Sequence, residues 1–191
     1  MLPALIVIGV IVLVVLFWAI ANYNSLVRLR LHCRESWSDV DTELKRRYNL
    51  IPNLVETVKG YAKHERQVLQ AVIEARTRAV ASTGSPEQQA RDENALITTV
   101  RQLFAVAEAY PELKASANFL HLQDELANTE ERIQAARRFY NANVRDLNTR
   151  IQVFPSSLIA SIFGFQREQF FEIEDAAMRR APQVELRAPG E

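Results

Sequence analysis

The sequence predicts an all-α protein: an N-terminal transmembrane helix followed by a long antiparallel up-down helical bundle. Three observations carry this. The run from Leu2 to Ala21 is almost wholly apolar. Glycine is scarce, five in 191 residues, while Ala, Leu, Arg, Glu and Gln abound, which favours helix over sheet. From Pro111 to Phe154 one apolar residue recurs every seven: Phe119, Leu126, Ile133, Tyr140, Leu147 and Phe154. That period puts the six on one stripe of a helix about 65 Å long, which other helices must cover. Its second seam reads Gln123, Glu130, Arg137, Val144 and Ile151, so only the last two turns are apolar. Together with this pattern they predict a coiled-coil-like bundle.

Residues 1–27 carry no charged side chain. About 20 apolar residues span roughly 30 Å as a helix, the thickness of the bilayer's hydrocarbon. A signal peptide opens with basic residues, which Met1-Leu2-Pro3 lacks, although Ala19-Ile20-Ala21 has the small residues of a cleavage site. A buried core helix would show a polar edge, and this run shows none. The expectation is a single-pass anchor over residues 4–21, with residues 1–3 on the far side. Trp18 and Tyr23 suit the membrane–water interface. Arg28, Arg30 and Arg34 follow the span and no basic residue precedes it, which places the bulk of the chain in the cytoplasm.

The bundle is expected over 22–175, with helices at about 22–48, 50–81, 86–109 and 111–154 and a short one at 156–175. Tyr23, Leu26, Cys33, Trp37, Val40, Leu44 and Ile51 form the first apolar seam, interrupted by Arg30 and Arg47. Asn49 and Pro52 read as a stop and restart. Val55, Val58, Ala62, Leu69, Val72 and Ala79 continue the seam, and Gly60 would let a neighbouring helix approach. Ser85-Pro86-Glu87-Gln88 is a capping box that opens the next helix. Tyr110-Pro111 and Phe154-Pro155 end helices, because the residue before Pro avoids helical geometry. Residues 176–191 read as a loose, charged, Pro-containing tail.

Chemistry is hard to find. Basic and acidic residues balance at 23 each, and they alternate rather than form a stripe, which excludes a nucleic-acid surface. The single cysteine, Cys33, lies on an apolar seam and reads as a core residue. His32, His64 and His121 are too scattered for a metal site, and His64-Glu65 is followed by Val68 where a zinc protease has His. His121 with Asp124 and Glu125 reads as a solvated face. No Glu-x-x-His pair, P-loop, dinucleotide fingerprint or Gly-x-Ser-x-Gly occurs. No catalytic residue, cofactor or metal is expected. Arg137, Tyr140, Asn141 and Asn148 read as boundary residues that hydrogen-bond between helices.

Several stretches resemble one family. They include Tyr23-Asn24-Ser25-Leu26-Val27 after the span, Trp37-Ser38-Asp39-Val40-Asp41, and the run Leu44 to Glu65 with Asn49-Leu50-Ile51-Pro52-Asn53-Leu54 at its centre. Glu108-Ala109-Tyr110-Pro111-Glu112-Leu113, Tyr140-Asn141-Ala142-Asn143-Val144 and Phe154-Pro155-Ser156-Ser157-Leu158 agree too, as do Phe163-Gly164-Phe165 and Phe170-Phe171-Glu172. Over nearly its whole length the chain resembles the LemA family of bacterial membrane proteins. The resemblance implies an anchored helical bundle at the inner membrane and no enzyme activity; one related protein is linked to building magnetosome membranes. Tyr48 departs from the pattern, where an acidic or small polar residue is expected.

The expected function is a non-enzymatic, membrane-anchored scaffold that self-associates and organises or shapes a membrane region. The alternative is a membrane-tethered adaptor for another protein. Two surfaces are the candidates. Lys45, Arg46, Arg47, Asn53, Lys59, His64 and Glu65 would form a polar interaction surface. Leu158, Ile159, Ile162, Phe163, Phe165, Phe170 and Phe171 would pack onto the open end of the bundle, or meet another copy or the membrane.

Overall fold

The computed structural model describes residues 2–173. They fold into α1 (Leu2–Tyr61), α2 (Arg66–Ala81), α3 (Pro86–Glu108), α4 (Pro111–Lys114), α5 (Ala117–Gln152) and α6 (Ser156–Ile162). There is no strand among the described residues. The tail expected from residue 176 lies outside them.

α1 is one unbroken helix of 60 residues, about 90 Å at the standard rise. Its first part is long and apolar enough to cross a membrane, and none of its most apolar stretch is buried. The rest carries Leu26, Cys33, Val40, Leu44, Ile51, Leu54 and Val58 into the core. The stop expected at Asn49 does not occur. Pro52 lies inside the helix, where it lacks the N–H that would bond the carbonyl of Tyr48. Arg76 of α2 supplies the missing donor, Nε to Tyr48 O at 2.7 Å. A side chain far along the chain thus repairs the ladder, which local sequence cannot reveal. The break comes instead at residues 62–65, where Ala62 N bonds Val58 O at 2.8 Å and Glu65 N bonds Ala62 O at 3.1 Å. Gly60 is not a close-approach site, since a Cβ there would meet nothing within 4 Å.

α3 begins as its cap predicts: Ser85 Oγ accepts from Gln88 N at 3.3 Å, with Pro86 in the first turn. α2 packs on α3, and α1 packs mainly on α5. Residues 22, 36, 37 and 47 of α1 meet 150, 143, 140 and 130 of α5, so the two helices run in opposite directions.

The long helix expected from Pro111 is two pieces. α4 turns Leu113 into the core, and an extended Ser116 resets the direction before α5. No Gly or Pro marks this break; burial of Leu113 does. The predicted stripe is then buried from Phe119 to Leu147, but Phe154 lies beyond the helix and is 76% exposed.

The last helix is also shorter than expected. Gly164 takes φ +66°, and Phe165 N bonds Ala160 O at 2.9 Å, a left-handed cap that needs glycine. From Phe165 the chain is non-helical and returns along α5. Asn148 donates to Glu168 O and accepts from Glu168 N, both at 2.9 Å. Asn141 does the same with Phe171, at 3.0 and 2.9 Å. Tyr140 Oη donates to Gln169 O at 2.8 Å and Arg137 to Ile173 O at 2.6 Å. The spacing explains itself: seven helical residues and three extended residues both cover about 10 Å.

Candidate functional site

The end of the bundle next to the apolar part of α1 is built from three elements. Asn22 is buried there, donating to Trp18 O at 2.9 Å and accepting from Arg150 of α5 at 2.8 Å. Tyr23 packs on Phe163 and Phe165, with ring centroids 4.7 and 5.9 Å away. Arg30 caps the other side of Phe165, its guanidinium 4.9 Å from the ring centroid. α6 is therefore fastened within two residues of the point where the apolar run ends. Ser156 Oγ, bonded to Arg150 O at 2.7 Å and Val153 O at 2.8 Å, fixes the turn into it. Ile159 and Ala160 face inward, whereas Leu158, Ile162 and Phe163 face out.

A second feature lies deeper, between α1, α3 and α5. Arg47 is 4% exposed and Glu93 is 0% exposed. Their side chains are ion-paired, and Arg47 also reaches Glu130 at 2.7 Å. Tyr48 Oη donates to Glu93, and Gln89 Nε2 donates to Glu93 at 3.0 Å and to Ala79 O at 3.2 Å. Burial, and then the Glu93 carboxylate, push the Tyr48 hydroxyl well above its ordinary pKa, so its proton stays as the donor. A buried charge is tolerated only when paired and hydrogen-bonded; both terminal nitrogens of Arg47 are paired, its Nε is not, and the set ties α1, α2, α3 and α5 together. Beside it is a cavity of about 350 Å³, with Leu96, Val100, Phe104 and Leu126 among its walls and Arg47 and Glu130 at one side. No group of three or more His, Cys, Asp or Glu side chains placed to hold a metal occurs among the described residues.

The LemA family model matches residues 36–186, more than half of the 191-residue chain. The chain belongs to the LemA family. It is 27% identical over 180 residues to magnetosome protein MamQ 2 of Paramagnetospirillum magneticum, covering 81% of this chain. It spans only 66% of that relative, just under two thirds of its length. It is 23% identical over 172 residues to Protein LemA of Metamycoplasma hominis, covering 90% of this chain and 78% of that one.

Within this LemA fold the predicted polar surface is not one patch. Arg47 leaves it for the core, because the carboxylates of Glu93 and Glu130 are there to receive it. Lys45 pairs with Asp41 at 2.6 Å, Arg46 with Glu43 at 3.3 Å and Lys59 with Glu56 at 3.3 Å, all along α1 itself. Asn53 and His64 are exposed, and Glu65 accepts from Tyr110 Oη at 3.4 Å. From Lys45 to Lys59 alone the set stretches about 20 Å along the helix.

The predicted apolar set divides in two. Ile159, Phe165 and Phe171 are buried, Phe171 against Trp37 at 5.2 Å between centroids. Phe170 is partly exposed, while Leu158, Ile162 and Phe163 are 54%, 74% and 58% exposed. Phe154 and Val153 belong with the exposed half, although neither was in the predicted set. Neither predicted surface includes Glu93 or Gln89. The signal was present: positions 89, 93, 96, 103 and 107 of α3 follow one seam, so two polar residues sit at core spacing. Tyr48 completes their network from α1.

Proposed function

We propose that this LemA-family protein is a non-enzymatic membrane scaffold: it is anchored through the first part of α1, self-associates, and organises or shapes a region of membrane. The observation that carries this reading is the continuity of α1, which joins an apolar span to the bundle core without a linker. A rigid joint of this kind sets the position of the bundle on the bilayer, as a scaffold requires. The similarity to magnetosome proteins supports the membrane part. Exposed apolar side chains on α5, Leu120 and Phe139, support association between copies. Arg28, Arg30 and Arg34 after the span favour a cytoplasmic bundle at the inner membrane. An adaptor role has less support, because Lys45, Arg46 and Lys59 are already paired with acidic neighbours on α1.

The test is the mass of the full-length protein in mild detergent, measured by mass photometry. A large particle of regular size is expected. A monomer that stays monomeric at high concentration would remove self-association from the proposal, and the anchor would stand without it.

A further inference from the structure

We propose that the outward face of α6 and the turn before it, Phe154, Leu158, Ile162 and Phe163, is a second membrane contact that inserts into the headgroup boundary of the bilayer holding α1. The inference rests on the anchor reading above and adds a separate site to it.

Position is the first argument. The ring of Phe163 lies 4.7 Å from that of Tyr23, and Tyr23 is two residues past the last apolar residue of the span, about 3 Å along the axis. Arg150 bonds Asn22, and Val153 and Phe154 follow one turn later in the direction of Trp18, since α5 runs opposite to α1. The exposed side chains therefore sit level with the membrane–water boundary that the span itself defines.

Chemistry is the second argument. α6 is too short to cross a bilayer and carries no charged residue. Its inner face is satisfied: Ile159 and Ala160 are buried, and Phe165 is held between Tyr23 and Arg30. Its outer face carries exposed Leu158 and Ile162 beside Ser161, and Phe163 at its end meets Tyr23 next to the exposed apolar part of α1, which marks a contact rather than a water-facing helix. An apolar face with basic residues just behind it is the pattern of an interfacial helix. Arg30 stands behind this one, its guanidinium 4.9 Å from the Phe165 ring, and Arg150 holds Asn22 beside it. The lipid surface is the occupant favoured over a second copy because the span already brings it to this face.

The test uses the full-length Cys33→Ser protein in vesicles of phosphatidylcholine and phosphatidylglycerol. Nitroxide labels are placed singly at Ile162→Cys, Leu158→Cys, Val12→Cys and Val80→Cys. Collisions with oxygen, which concentrates in lipid, are compared with collisions with a water-soluble nickel chelate. Labels at 162 and 158 are expected to favour oxygen, as the label at 12 in the span does, with the ratio reversed at 80. Labels at 158 and 162 open to the chelate, with 12 still in lipid, would overturn the proposal and leave the anchor intact. Labels at 158 and 162 closed to both reagents would overturn it in favour of a second copy. A label at 12 open to the chelate would overturn the anchor reading and this one with it. If one of the α6 variants does not fold, the other decides.

Discussion

Arg76 donates its Nε to the carbonyl of Tyr48 at 2.7 Å, the acceptor that Pro52 deprives of a helical partner. α1 passes through a proline because α2 completes its hydrogen bonding. Arg76→Ala should then cost about 1–3 kcal/mol, the usual penalty for leaving a buried acceptor alone. In a Pro52→Ala background the new N–H replaces the lost donor, so the same change should cost much less. Denaturant unfolding of the two single variants and the double variant measures this coupling. Equal costs in both backgrounds would show that Arg76 acts in some other way.

The pairing of Arg47 with Glu93 calls for an asymmetric result. Glu93→Ala leaves the buried guanidinium with half-exposed Glu130 as its carboxylate partner and should cost about 3–5 kcal/mol, whereas replacing both residues with apolar ones of similar size should cost far less. Urea titration of the single and double variants separates these outcomes. A double variant as unstable as the single one would mean that the network matters for more than neutralisation.

Cys33 gives a pH dependence with a definite sign. Burial first, then Glu168 and Asp146, push its thiol from 9.0 up to about 11. The unfolded chain therefore loses this proton at lower pH than the folded one. The stability that Cys33 contributes is complete below about pH 9 and lost as pH rises toward about 11. Buried Tyr48 and Tyr140, both shifted upward, act in the same direction at higher pH. Thermal scans from pH 8 to pH 11 should show a fall that is smaller in Cys33→Ala, and a thiol reagent at pH 8 should modify Cys33 only after unfolding.

The twin amides of α5 hold the returning chain by its backbone. Asn148→Asp keeps the acceptor for Glu168 N but places a carboxylate oxygen against Glu168 O. Asn148→Asp and Asn141→Asp should each cost about 1–3 kcal/mol. Hydrogen exchange should rise at Glu168 in the first variant and at Phe171 in the second, ahead of any change in the core of α1. Unchanged exchange at both amides would mean that the aromatic contacts of Phe171 alone hold the segment.

What could be read in advance follows a physical divide. The apolar stripe from Phe119 to Leu147, the cap at Ser85 and the seam of α1 are signals carried by neighbours in sequence, and the structure shows them in place. The helix boundaries that differ depend on distant partners. Pro52 looks like a breaker until Arg76 is beside it, and Ala115-Ser116 looks helical until Leu113 is buried. Gly164, the glycine within an apolar run, is the local signal for the cap that ends α6. Arg137, Tyr140, Asn141 and Asn148 read as boundary residues that hydrogen-bond between helices; in the structure they bond an extended segment instead. The candidate surfaces were harder. Exposure at α6 depends on which side of Ile162 and Phe163 faces the bundle, and Arg47 moved inward because Glu93 was waiting 46 residues away.

The unbroken α1 also makes the molecule a lever. From Asn22 to Tyr61 it extends about 60 Å as one continuous helix. When a thinner bilayer forces the span to tilt by about 20°, the far end of the bundle must swing by about 20 Å. Bilayer thickness is thereby converted into lateral displacement well away from the lipid.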